Sequence, residues 1–94
     1  MIDERVIRIA GNYGLRHQLK KLIEESCELI AAILAYLFFK KTEIRKHHLI
    51  EEAADVAIVI AQIVYLLKAD EQMSMYIDYK LDRTIKRMEA EKWP

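Results

Sequence analysis

Four carboxylates stand in two matching pairs, and each pair has the three-residue spacing that places side chains next to each other on a helix. They are Glu25, Glu28, Glu52 and Asp55, and we call them the four carboxylates. The segments around the pairs are alike, because residues 22–29 (LIEESCEL) align without gaps on residues 49–56 (LIEEAADV). Carboxylate oxygens are the ligands that Mg²⁺ and Mn²⁺ prefer. The spacing therefore predicts a site for a hard divalent cation.

The elements that must position these side chains are helices. Only two Gly and one Pro occur in a sequence rich in Ala, Ile, Leu, Glu and Lys, which favours a single all-α domain over residues 1–94. We predict four helices, with a turn near Gly11 and Gly14 between the first and the second. The four helices begin at Asp3, Leu15, Thr42 and Asp70, and the last three end near Lys40, Ala69 and Lys92.

The second and third helices present the two pairs at the same phase, along the edge of an apolar stripe. If the turn between them is centred on Lys41 and Thr42, the pairs differ in height by roughly 4–5 Å, which a turn can absorb. We therefore expect the four carboxylates to converge. Converging anions beside an apolar core need cations, because burying unpaired charge is costly. The alternative is that they are ordinary solvated side chains on helices rich in Glu.

The composition narrows the class of protein. Fifteen basic and fifteen acidic residues leave no net charge, so a long nucleic acid is not an expected partner. The apolar runs 29–39 and 56–67 are shorter than the roughly 20 residues that span a bilayer, and the charged residues 3–5 interrupt any early signal sequence. Cys27 is the single cysteine, so we expect no intrachain disulfide and a cytoplasmic protein.

The ordered pair of motifs resembles the MazG-like, all-α nucleoside triphosphate pyrophosphohydrolases. Their mark is Glu-x-x-Glu, a spacer and Glu-x-x-Asp, which here are residues 25–28 and 52–55. Tyr13 and Gln18, ahead of residues 21–25 (KLIEE), also match, and the resemblance spans about residues 10–90. It implies a four-helix MazG-like bundle with the metal site between helices two and three. It also implies hydrolysis of an NTP or dNTP to the monophosphate and pyrophosphate, in nucleotide-pool housekeeping.

The resemblance further implies roles for single residues. The four carboxylates would bind Mg²⁺, with Mn²⁺ as an alternative, and Glu24 or Glu25 would orient the attacking water. Gln18 would contact a base or ribose, although it can equally cap the bend between helices one and two. The residues implied to hold the triphosphate lie along one border of the last helix: Tyr76, Lys80, Arg83 and Arg87. Ion pairing of these basic residues with acids of the same helix is the alternative.

The second and third helices are apolar on nearly every side, as residues pointing away from the main stripe show: Ile30, Leu34, Phe38, Ile58 and Leu66. A helix that is apolar all round must be buried all round. We therefore expect a homodimer or homotetramer, since soluble monomers rarely expose so much apolar surface. Trp93 is expected to cover an apolar patch or a partner subunit.

Two other functions stay open. Phosphoribosyl-ATP pyrophosphohydrolases share the bundle but usually carry a His one turn after the Asp of the second motif, where this chain has Val59. A non-catalytic helical adaptor or regulatory subunit would keep the fold and bind Mg²⁺ without turnover, or bind no metal.

Overall fold

The computed structural model describes residues 3–92, and all regular structure in this range is helical. Three helices follow one another: α1 (Glu4–Phe38), α2 (Glu43–Leu66) and α3 (Asp70–Glu91). The all-α prediction is therefore confirmed. None of the three is both long enough and apolar enough to cross a membrane. Trp93 lies outside the described residues, so its expected covering role stays a prediction.

The prediction of a four-helix bundle is wrong, because the first two predicted helices form one element. α1 continues through Gly11 and Gly14 for 35 residues. Gly14 alone leaves the helical conformation, with φ 82° and ψ 169°, and the helix resumes after it. Glycine adopts such a conformation readily because it has no Cβ, and a single residue of this kind kinks a helix. The expected turn is therefore a kink.

Two of the predicted helix caps are confirmed. A carboxylate oxygen of Asp3 accepts a hydrogen bond from the backbone N–H of Arg5 at 2.9 Å, and Thr42 Oγ1 accepts one from the N–H of Arg45 at 3.1 Å. Side-chain acceptors at these positions satisfy N–H groups that the first helical turn leaves free. Asp70 is not a cap: it is the first residue of α3, and Ala69 precedes it without a side-chain hydrogen bond.

The core lies between α1 and α2, which pack against each other as an antiparallel hairpin. Its buried apolar side chains are few and small to medium in size: Ala10, Ala32, Val59 and Ile63. Three polar side chains are buried beside them, namely Gln18, Glu25 and Gln62. Burying a polar group without a partner is unfavourable. The three buried polar side chains therefore make this interface a candidate functional site.

The third helix is exposed along its whole length. Its backbone comes close to that of α2 at few positions and does not come close to that of α1 within the described range. The exposed fraction of its apolar side chains runs from 38% at Met73 to 62% at Leu81. The radius of gyration is 16.8 Å, whereas a compact domain of this length has about 12 Å. One chain therefore leaves much of its apolar surface in contact with water.

Candidate metal site and adjoining cleft

The four carboxylates converge between α1 and α2. Glu25 and Glu28 project from α1, Glu52 and Asp55 from α2, and one oxygen of each lies within 4.8 Å of the others. Two oxygens on opposite sides of one Mg²⁺ are about 4.2 Å apart, given Mg–O distances of about 2.1 Å. The cluster thus has nearly the dimensions of one coordination sphere. The predicted match in height between the two pairs is confirmed.

Two carboxylate oxygens of the cluster are buried without a partner. Glu25 Oε2 and Glu52 Oε2 accept no hydrogen bond from any residue in the range 3–92. The second oxygen of each carboxylate has one partner: Glu25 Oε1 is 3.1 Å from Lys21 Nζ, and Glu52 Oε1 is 3.9 Å from His48 Nδ1. An unpartnered buried anion is unfavourable. A cation among the four carboxylates would give both orphaned oxygens a ligand bond, so these residues fit a hard divalent metal.

The charges of the cluster act on each other. The pKa of Glu28 is raised above its ordinary value of 4.5, first by the negative charge of Glu25 and by the hydrogen bond that a protonated Glu28 can donate to it, and then by burial and by Glu52. The pKa of Lys21 is also raised, first by its hydrogen bond to Glu25. Like charges close together favour the neutral form of an acid, and they favour the charged form of a nearby amine. One ammonium group therefore offsets part of the charge of the four carboxylates.

A cleft of about 330 Å³ opens beside the cluster. Glu25, Asp55 and Lys21 contribute to its wall near the carboxylates, and Tyr13 and His17 contribute from the preceding part of α1. The volume lies at the lower end of the roughly 300–1,000 Å³ found for small-molecule sites. The cleft thus combines anionic groups, one amine and an aromatic wall in a space suited to a ligand of nucleotide size.

Gln18 and Gln62 form an amide pair in this cleft, and they are only 3% and 2% exposed. Gln18 Nε2 donates a hydrogen bond to Gln62 Oε1, and Gln18 Oε1 lies 2.7 Å from His17 Nδ1. The ring of His17 stacks on Tyr13, with centroids 4.6 Å apart and planes inclined by 20°. The sequence reasoning missed Gln62. The available signal was symmetry, since Gln18 precedes Glu25 by seven residues and Gln62 follows Asp55 by seven.

The other predicted site residues lie apart from the cluster. Glu24 is exposed and is not one of the converging carboxylates. The four predicted triphosphate-binding residues, Tyr76, Lys80, Arg83 and Arg87, are all on α3 and exposed. None of them lines the cleft, and Arg83 lies over the ring of Tyr79, 5.6 Å from its centroid. Lys21, which was not predicted, lies closer to the carboxylates than His48 does, at 3.1 Å from Glu25 Oε1.

No family model, no curated protein and no solved structure matches this chain. The assignment of a function therefore depends on the chemistry of the cluster and of the cleft beside it.

Proposed function

We propose that this chain is a Mg²⁺-dependent nucleoside triphosphate pyrophosphohydrolase of the MazG-like kind, acting on an NTP or dNTP. The observation that supports this most strongly is the convergence of the four carboxylates, with two buried oxygens that no residue of the described range partners. A cation-binding cluster next to a cleft with an aromatic wall suits a ligand with a polyanionic end and a planar end. A nucleoside triphosphate has both.

The four carboxylates would hold Mg²⁺, or Mn²⁺ in its place. When bound, such an ion neutralises phosphate charge and lowers the pKa of a coordinated water. Hydrolysis of the anhydride bond between the α- and β-phosphates by one water would release the monophosphate and pyrophosphate. The residues of this chain would bind and orient the reactants around that step.

Lys21 is the side chain placed to meet the phosphates. Its side chain is 43% exposed and lines the cleft, and its ammonium group already contacts Glu25. An ammonium group has three donors, so Lys21 can keep its bond to Glu25 and donate to a phosphate oxygen as well. Glu25, next to Lys21, would orient the attacking water. Glu24, on the exposed side of α1, is the alternative for this role.

Self-association belongs to this proposal. Every residue of α3 is exposed, and large apolar side chains of α1 and α2, such as Leu34, Phe38 and Ile58, are exposed as well. Burial of this surface in a homodimer or homotetramer would remove it from water, which is the dominant favourable contribution to association. Because the backbone of α3 does not come close to that of α1 in the described range, a second copy is also the simplest means of bringing Lys80, Arg83 and Arg87 to a bound triphosphate.

The direct test is pyrophosphate release from a panel of common and modified nucleoside triphosphates, with phosphoribosyl-ATP included, in Mg²⁺ or Mn²⁺. We expect turnover by the wild type, its loss in Glu52→Gln and Asp55→Asn, and its retention in Glu51→Gln, whose carboxylate is exposed and outside the cluster. Activity that survives both cluster substitutions would exclude this site. Tight Mg²⁺ binding without turnover on any nucleotide would instead identify a non-catalytic adaptor.

A preference for phosphoribosyl-ATP is the less expected outcome. The position at which those enzymes usually carry a His is Val59, which is 5% exposed and contributes an apolar part of the cleft wall. No imidazole is available there to bind a phosphate or to transfer a proton.

A further inference from the structure

We propose that the Gln18–Gln62 amide pair reads the base of the nucleotide, and that it selects bases that present a carbonyl oxygen over bases that present an amino group. This inference rests on the proposed function, because it takes the ligand to be a nucleotide. It assigns a specificity-determining role to Gln62, which no part of the motif resemblance includes.

The hydrogen bonds of the pair run in one direction. Gln18 Oε1 can only accept, so the hydrogen in its contact with His17 is on Nδ1. Gln18 Nε2 then donates to Gln62 Oε1, which occupies one of the two lone pairs of that oxygen and directs it towards Gln18. Gln62 Nε2 makes no hydrogen bond to the residues at positions 3–92. The polar group of Gln62 that is left without a partner in this range is therefore a donor.

The position of the pair matches the length of a nucleotide. Seven residues separate Gln18 from Glu25 in α1 and Asp55 from Gln62 in α2, which is about 10 Å along each helix. That distance is of the order of the reach from the phosphates of a nucleotide to its base. A ligand whose phosphates lie at the four carboxylates would therefore bring its base to the amide pair.

The wall next to the pair suits a planar ring. Tyr13 is 53% exposed, lines the cleft and is stacked on His17. Aromatic side chains of this kind provide stacking surfaces for bases, with little preference among them. Stacking on Tyr13 would hold the base, and Gln62 would supply the discrimination that stacking lacks.

The discrimination follows from donor and acceptor complementarity. A carbonyl oxygen accepts a hydrogen bond from Gln62 Nε2, whereas an exocyclic amino group would place a donor against a donor. A buried donor that loses its water and gains no acceptor is strongly unfavourable. Uracil against cytosine, and hypoxanthine against adenine, are pairs of bases in which a carbonyl replaces an amino group on the ring.

The experiment compares kcat/KM for dUTP with dCTP and for dITP with dATP, together with calorimetric binding of the four monophosphates. We expect the wild type to favour the carbonyl member of each pair by about 10- to 100-fold. Gln62→Met, which keeps the length of the side chain and removes the donor, should reduce the preference to less than about threefold. The matched control Gln72→Met changes an exposed glutamine of α3 and should leave the preference intact.

A second variant covers the case in which Gln62→Met does not fold. His17→Phe preserves an aromatic ring for Tyr13 but removes the donor that sets the direction of the pair, so the amides can reverse and the preference should fall. Equal rates within both nucleotide pairs in the wild type, or a preference unchanged in either variant, would overturn the inference and leave the proposed function standing. Carbonyl-selective binding of monophosphates without any turnover would support the inference and overturn the proposed hydrolysis. Binding of no nucleotide would overturn both.

Discussion

Lys21 Nζ lies 3.1 Å from Glu25 Oε1, so the most buried of the four carboxylates forms an ion pair with an amine one turn earlier on the same helix. The pair is asymmetric, because Lys21 is 43% exposed while the Glu25 side chain is 9% exposed. The other oxygen of Glu25 has no partner in the described range. Lys21 is therefore the counter-ion of Glu25 in the metal-free protein.

Replacement of Lys21 by Met should have opposite effects on the fold and on metal binding. The metal-free protein should lose a small part of its unfolding free energy, since Glu25 loses its partner while solvent already screens much of the pair. Mg²⁺ should bind more tightly, because one positive charge next to the site is gone. Thermal melts and calorimetry measure both, with Lys20→Met at an exposed neighbouring position as the control. Weaker Mg²⁺ binding in Lys21→Met would contradict this account of the site.

Mg²⁺ should stabilise the folded protein. At a free concentration of 100 times Kd, a ligand that binds only the folded state adds about 2.7 kcal/mol, which for a domain of this size raises Tm by roughly 10 °C or more. The double variant Glu52→Gln, Asp55→Asn should show no such rise, whereas Glu51→Gln should behave as the wild type does. A rise of equal size in the double variant would place the metal elsewhere.

The pH dependence of stability should reverse when Mg²⁺ is added. The folded-state pKa of Glu28 is raised, chiefly by Glu25, so its protonated form stabilises the metal-free fold fully below about pH 4.5, and this contribution is lost as the pH rises through the raised pKa. Mg²⁺ requires ionised carboxylates, so its stabilising effect should grow over the same window. Denaturant titrations of the wild type and of Glu28→Gln between pH 4 and pH 8 measure this. An identical pH profile in the two proteins would exclude Glu28 as the source.

The two glycines of α1 should respond to alanine in opposite ways. Gly14 has φ 82° and Gly11 is helical, and an added Cβ would meet no atom within 4 Å at either position. Gly14→Ala should therefore cost about 1–3 kcal/mol through backbone strain alone, while Gly11→Ala should add about 0.5–1 kcal/mol. Unfolding in denaturant gives both values. Stabilisation by Gly14→Ala would mean that α1 is straight in solution.

The exposed stripe of α3 should mediate association. Light scattering of the wild type should give a mass that is a multiple of the 11.1 kDa chain. The variant Ile77→Lys, Leu81→Lys should shift it towards 11.1 kDa, because charges on an interface that must be desolvated oppose association. Gln72→Lys adds a charge elsewhere on the helix and serves as the control. A wild-type mass of one chain at all concentrations would contradict the proposed self-association.

Local sequence signals determined much of the scaffold. The near absence of Gly and Pro predicted helices, and the side chains of Asp3 and Thr42 predicted two helix starts, because capping acts within three residues of the cap. The convergence of the four carboxylates was also predictable, since helical phase and the length of one connection determine which levels of a hairpin meet.

The tertiary structure decided what local signals leave open. Gly14 is compatible with both a turn and a kink, and the outcome depends on how the first part of α1 packs against α2, far along the chain. The partner of Gln18 is Gln62, 44 residues away, and a glutamine within an apolar stretch gives no sign of the amide that it will face. The packing of α3 is also undetermined by local signals. Its amphipathic pattern predicted a helix, but the surface against which the helix packs lies outside α3. Periodicity and capping are properties of neighbouring residues, whereas burial, kinking and pairing depend on which distant surfaces the whole chain brings together.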